Sequence, residues 1–228
     1  MPLRDIGRRY TGKLRRDRRA VVVIEFAYTL PIFMLLGFTG VELANLAVTN
    51  MRVSQIAMTV ADNISRAKQS VPLQQPVLRE VDINDALVGA NIQGGTSLAI
   101  LQQGRIIISS LERNNAGRQT IMWQRCKGSL AVNSQYGAQG ATQPSGSGGF
   151  QGMGGGATPI QAEPNSAVIF AEVSYRYEPL FGQFVLGTPT IRKEAAFYVR
   201  DDRKLGTPTN NVSPAPISRC DQFNATFS

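Results

Sequence analysis

The spacing of apolar residues changes character twice along the chain. From Phe26 to Val41, between Glu25 and Glu42, no residue is charged. Extending this run to Val21 and Leu43 gives 23 residues, about 34 Å of helix at about 1.5 Å per residue. A hydrocarbon core of about 30 Å needs that length. Pro31 falls inside the run, where a membrane helix tolerates it or kinks. Beyond Leu43 the pattern narrows to one stripe. Val53, Ile56, Ala57, Val60, Ala61 and Ile64 recur at i, i+3, i+4 and i+7, with Ser54, Gln55, Thr59, Asp62, Asn63 and Ser65 between them. Arg66 and Lys68 suit a helix C-terminus, and Pro72 suits a stop. The pattern predicts one long helix from about Val21 to about Gln69. Its first half suits lipid and its second half suits a folded domain.

After Pro72 the period shortens. Asp82 to Ala90 reads as a short helix opened by Asp and ended by Gly94-Gly95. Arg105–Glu112 and Gln119–Cys126 are rich in strand formers and flank the turn residues Asn114 to Gly117, so they predict a hairpin. Ala167–Tyr177 and Thr190–Arg200 predict two more strands, with Pro179 and Gly182 in the connection. Residues 137–156 are glycine-rich without helix or strand periodicity and read as a flexible surface loop. No Gly-x-x-x-x-Gly-Lys-Ser/Thr occurs, so the loop is not read as a phosphate cradle. The expectation is an α+β fold, with the long N-terminal helix packed on an antiparallel four-stranded sheet. Strand order is left open. The divisions are a basic tail (1–20), a transmembrane helix (21–43), an amphipathic extension (44–69) and a domain over 70–228.

Charge sets the expected topology. The chain carries a net +8, and most of it lies in the first 20 residues, which hold eight Lys and Arg against Asp5 and Asp17. Cations directly before an apolar run favour a tail retained in the cytoplasm and a C-terminal part that crosses. Their placement argues for membrane orientation and against nucleic-acid binding. A cleaved signal peptide is the competing reading, but its apolar core is shorter and ends at an A-x-A-like site. Ala44-Asn45-Leu46-Ala47 has the wrong spacing for one. There is no histidine, which removes the commonest general base and metal ligand. No nucleophile–base or paired-carboxylate motif stands out, so the chain is not read as an enzyme, and no cofactor is expected. The two cysteines, Cys126 and Cys220, cannot form a zinc site alone. In an exported, oxidising setting they read as a disulfide.

Ala20-Val-Val-Val-Ile-Glu25-Phe26-Ala27-Tyr28-Thr29-Leu30-Pro31, behind a basic tail and before an amphipathic continuation, resembles the N-terminus of the TadE/TadG-like proteins of the tight-adherence (Tad) pilus system. Trp123 to Gly128, the Tyr175-x-Tyr177-x-Pro179 pattern and Cys220 resemble one subgroup of them. The resemblance implies a minor pilin-like assembly component with a pilin-like fold. It would sit as a single-pass protein in the inner (cytoplasmic) membrane, with its domain periplasmic or extracellular. Its partners would be other pilin-like subunits, the Tad secretion platform and the membrane itself. Some members are cut by a prepilin peptidase four residues before the glutamate. Here that bond is Ala20–Val21, with Ala20 where Gly is usual. Glu25 would then pair with the N-terminal ammonium of a neighbour, because a carboxylate in lipid is less costly beside a cation. The other reading is an uncleaved anchor whose Glu25 snorkels to the headgroups. The competing function is a membrane-anchored adhesin or binding domain unrelated to pili.

Overall fold

A computed structural model of the chain describes residues 19–71, 73–114, 116–142, 151–156, 158–183, 187–200, 202–211 and 213–227. The basic tail before Arg19 therefore lies outside the described residues. Helix α1, Arg19–Arg66, is continuous through Pro31 over 48 residues. Val53, Ile56, Ala57, Val60, Ala61 and Ile64 are all buried on the main core, as their spacing predicts. The helix ends three residues before the expected Gln69. Gln69 instead opens β1, Gln69–Val71, which pairs antiparallel with β2, Gln74–Val77. The sequence reading has no counterpart to this hairpin. Arg66 lies in the last turn of the helix, as expected. Arg66 bridges Asp62 at 3.4 Å, while Arg203, far along the chain, donates to the carbonyls of Ile64 (2.8 Å) and Ala67 (2.6 Å). A guanidinium at a helix C-terminus satisfies free acceptors and opposes the negative end of the helix dipole.

Helix α2 runs Glu80–Leu98, earlier and longer than expected. Asp82 is its third residue rather than its cap, and its carboxylate accepts from the Arg79 amide at 3.0 Å and from the Arg79 side chain. Gly94-Gly95 breaks the helix, as expected: Gly95 takes the non-helical φ 62° and ψ −170°, a kink that only glycine adopts cheaply, and a short helical stretch then runs on to Leu98. The short α3, Ile100–Gln103, leads directly into β3.

The sheet consists of β3 (Gly104–Arg113), β4 (Gln119–Lys127), β5 (Ala167–Arg176) and β6 (Thr190–Tyr198), in the order β4-β3-β5-β6, all antiparallel. These bounds lie within a residue or two of the expected ones. Alternation assigns the two faces. Ile106, Ile108, Trp123, Ile169, Ala171, Val173 and Tyr175 face α1 and α2. Leu111, Ile121, Val168 and Phe170 form a second core on the opposite face. A bulge opposite Ser110 and Leu111 skips Met122 and so turns Ile121 to this second face.

The described parts of 137–156 are irregular and mostly at the surface, as read, but one residue reaches the second core. Met153 is fully buried there, and residues 143–150 lie outside the described set. Gly152, at φ 134°, lets the chain pass the Ile160 carbonyl so closely that an added Cβ would lie 2.2 Å from it. Met153 and Ile160 then exchange backbone bonds. Polar side chains of the sheet pin this cover. Gln119 pairs both ways with the Ala162 backbone at 2.9 Å, Gln124 donates to the Gly137 carbonyl, and Glu172 accepts from Ser134 Oγ and the Gln135 amide.

The C-terminal tail closes the β4 side. Cys126 and Cys220 form a disulfide. Arg105, buried in β3, donates to the carbonyls of Gly128, Cys220 and Gln222 and lies against the Phe223 ring. Backbone bonds from Cys126 to Ser218 and from Gly128 to Asn224 continue the contact. On the other face, Arg125 and Glu80 form a buried bidentate pair that ties α2 to β4.

Burial pushes the Glu172 carboxyl up, and Glu194 opposite adds to the shift, against bonds from Ser134 and Gln135 that lower it. A carboxyl raised by folding stabilises the fold below its unfolded pKa, and that contribution is lost as pH rises through the folded value. E172Q keeps an acceptor without the charge. It is expected to melt above the parent protein at neutral pH, with the gap closing at about pH 4, near the free glutamate value; thermal unfolding across pH measures this. The paired change C126S/C220S, closing no loop, is expected to lower unfolding free energy by up to about 4–5 kcal/mol. Melting with and without reductant checks it.

Candidate functional site

Helix α1 is the only described helix long and apolar enough to cross a membrane. Apart from Phe38, which meets the domain, its side chains from Val21 to Val41 are largely exposed, with Val21, Ile24, Phe26, Phe33, Leu36 and Val41 all at least half exposed. A helix apolar all round cannot hide that surface against one sheet face, so it needs lipid or other helices. The candidate site is therefore a surface and its junction with the domain, rather than a catalytic pocket.

The sequence-predicted residues fall in two places. Ala20, Val21 and Glu25 lie in the first two turns of α1. The Ala20–Val21 bond is thus helical. Glu25 is exposed, and among the described residues no cation lies within ion-pair distance of it. Thr29 Oγ1 donates to the Glu25 carbonyl at 3.0 Å. Cys126 and Cys220 join each other at the far side of the domain, where their bridge lines a cleft of about 410 Å³ with Arg105, Gln124 and Asp221. The polar groups of that cleft hold the tail in place. The structure does not bring the cysteines near Glu25.

Glu42 is the residue that the sequence reading passes over. It lies at the domain end of the apolar run and is 1 % exposed. Its carboxylate accepts from the Tyr177 hydroxyl, from the Leu180 amide at 3.0 Å and from the Phe181 amide at 3.1 Å. Asn45, almost one turn further on, donates to the Tyr177 oxygen at 2.8 Å. Phe38, one turn earlier, meets the Phe181 ring at 4.8 Å between centroids. Phe38, Glu42 and Asn45 share one helix face by their spacing. That face receives the end of β5 and the turn after it. Burial pushes the Tyr177 hydroxyl above the usual tyrosine range, and its bond to Glu42 adds to this. Tyr177 therefore stays protonated and donates, as the arrangement requires.

The Tyr175-x-Tyr177-x-Pro179 pattern gains a physical sense here. Tyr175 and Tyr177 both bury their rings in the main core. Pro179 has no amide to satisfy, and the two amides after it reach the carboxylate. The sequence signals for the junction were this pattern and a lone carboxylate at the edge of an apolar run, with nothing to link the two.

E42A would leave two part-buried amides without an acceptor and the Tyr177 hydroxyl with only the long bond to the residue 42 carbonyl, and is expected to destabilise by about 2–4 kcal/mol. Y177F removes one donor and is expected to cost about 1–2 kcal/mol. Their double variant should fall short of the sum, because both remove the same bond; melting of all three in detergent measures the coupling. No family model, no curated protein and no solved structure matches this chain.

Proposed function

We propose that this chain is a membrane-anchored, pilin-like structural component that assembles with other pilin-like subunits of a Tad-type pilus. One observation carries the reading. A single unbroken helix offers an all-round apolar half outside the domain and buries its other half as the spine of an α+β domain. That division suits a subunit that is held in a membrane and laterally packed with like helices. The resemblance of Ala20 to Pro31 to the TadE/TadG-like N-terminus supplies the system. The basic tail supports an N-terminus held in the cytoplasm of the source cell, with the disulfide-bonded domain on the outer side of the membrane.

Glu25 is the residue assigned to subunit contact. It stands on the apolar flank without a cation among the described residues, so a cation from a neighbour would relieve its burial in lipid. Cleavage at Ala20–Val21 would create such a cation at the new N-terminus. Without cleavage, Glu25 reaches the headgroups of the tail side.

Deleting the gene in the source organism is expected to abolish both surface pili and attachment, with the wild-type chain restoring them and E25A failing to. Normal pili with reduced attachment would instead mark an anchored binding domain and overturn the reading. N-terminal mass spectrometry of the purified chain reads the processing: a terminus at Val21 marks cleavage, and one at Met1 or Pro2 excludes it.

A further inference from the structure

The turn after β5 points toward the lipid-facing half of α1. Its tip, Leu180 and Phe181, is 60 % and 37 % exposed. A single exposed leucine on a soluble surface carries no message. Here the tip is continuous with a much larger apolar surface. The Phe181 ring rests on Phe38, and Val41 and Leu43 beside it are about half exposed.

Position along the helix gives the depth. Ile32 is the middle residue of Val21–Leu43, so Phe38 stands about 9 Å from it along the axis. The half-thickness of a hydrocarbon core is about 15 Å. Phe38 therefore falls within the hydrocarbon on the domain side, and the ring stacked on it is at nearly the same level. Glu42 falls at the hydrocarbon edge.

A turn can enter that zone only if its backbone polar groups are satisfied within the protein. The amides at its tip meet the condition. Pro179 offers no amide, and the Leu180 and Phe181 amides both donate to Glu42. The carboxylate in turn loses its need for water.

We propose that the Leu180–Phe181 tip is a second membrane contact, a wedge seated in the interface of the leaflet on the domain side. It rests on the reading of Val21–Leu43 as a membrane span. Interfacial elements bury their apolar side about 5–10 Å into the headgroup and acyl boundary, and this tip reaches a comparable depth. The occupant of the exposed tip is lipid because the tip is continuous with the span and shares its solvent. A helix alone would leave the domain free to swing about one point. The wedge adds a second point, and Glu42 joins the two, so the depth and tilt of the domain are set by the membrane surface.

Depth-resolved fluorescence quenching tests this on the full chain in phosphatidylethanolamine and phosphatidylglycerol vesicles with acyl chains brominated at shallow or deep positions. The chain has one tryptophan, Trp123, which is buried in the domain and supplies a constant background. L180W places a reporter on the tip, where the side chain is exposed and its replacement leaves the core untouched. F33W reports from the span, and I92W from an exposed position on α2. The expected result is loss of L180W emission to shallow bromines and of F33W emission to deep ones, with I92W unaffected. L180W quenched no more than I92W, while F33W is quenched, overturns the wedge and leaves the span standing. F33W unquenched removes the span and the wedge with it.

Discussion

A helix that is apolar on all sides at one end and on a single stripe at the other must live in two solvents. In α1 that change falls at Glu42. Before it, side chains from Val21 onward are largely exposed, with Phe38 meeting Phe181 of the domain at the border. After it, the stripe from Val53 to Ile64 is the spine of the main core. A carboxylate at such a border is costly unless its oxygens are filled, and Tyr177, Leu180 and Phe181 fill them. The bonds to charged acceptors are stronger than neutral ones. They also fix where the sheet begins along the helix, since β5 ends just before Tyr177. The remaining strands inherit that position through the ladder.

The sheet has no open face. Helices α1 and α2 cover one side, and the excursion between β4 and β5 covers the other. This explains why β3 and β5 are buried almost along their whole length. It also explains their composition: strands buried on both faces lose the polar alternation of a half-exposed sheet. Several of the polar residues that remain inside hold neighbouring segments, although Arg105 Nε itself finds no acceptor among the described residues. Gln119, Gln124 and Glu172 hold the irregular cover, and Arg105 holds the tail through three carbonyls. Glu80 and Arg125 tie α2 to the sheet edge. Buried polar groups are affordable only when paired, and apart from the Glu80–Arg125 pair each of these joins a regular element to an irregular one.

What the sequence determined by itself was everything set by local spacing. The i, i+3, i+4 stripe from Val53 to Ile64, the apolar run before it and four segments rich in strand formers each report their own periodicity, and the structure has them where that periodicity places them. The two cysteines were legible as a pair because only one pairing exists within the chain. The reading of α1 as ending at Gln69 erred because the pattern of a helix does not exclude a short strand beginning just after it. The start of α2 erred because Asp82 reads as a cap, whereas Arg79 holds that position and Asp82 reaches back to its amide; the break at Gly95 falls where the glycine pair places it.

Tertiary structure alone decided the pairings that join distant residues. Glu42 finds Tyr177 across 135 positions, Arg203 caps a helix that ends far upstream, and the glycine-rich segment supplies Met153 to a core it does not itself pattern. None of these leaves a periodic trace, because each involves one side chain whose partner is chosen by the fold. Periodicity reports which face of an element is apolar. It carries no information about which carboxylate will meet which hydroxyl, since that depends on strand order and on the level at which the sheet meets the helix.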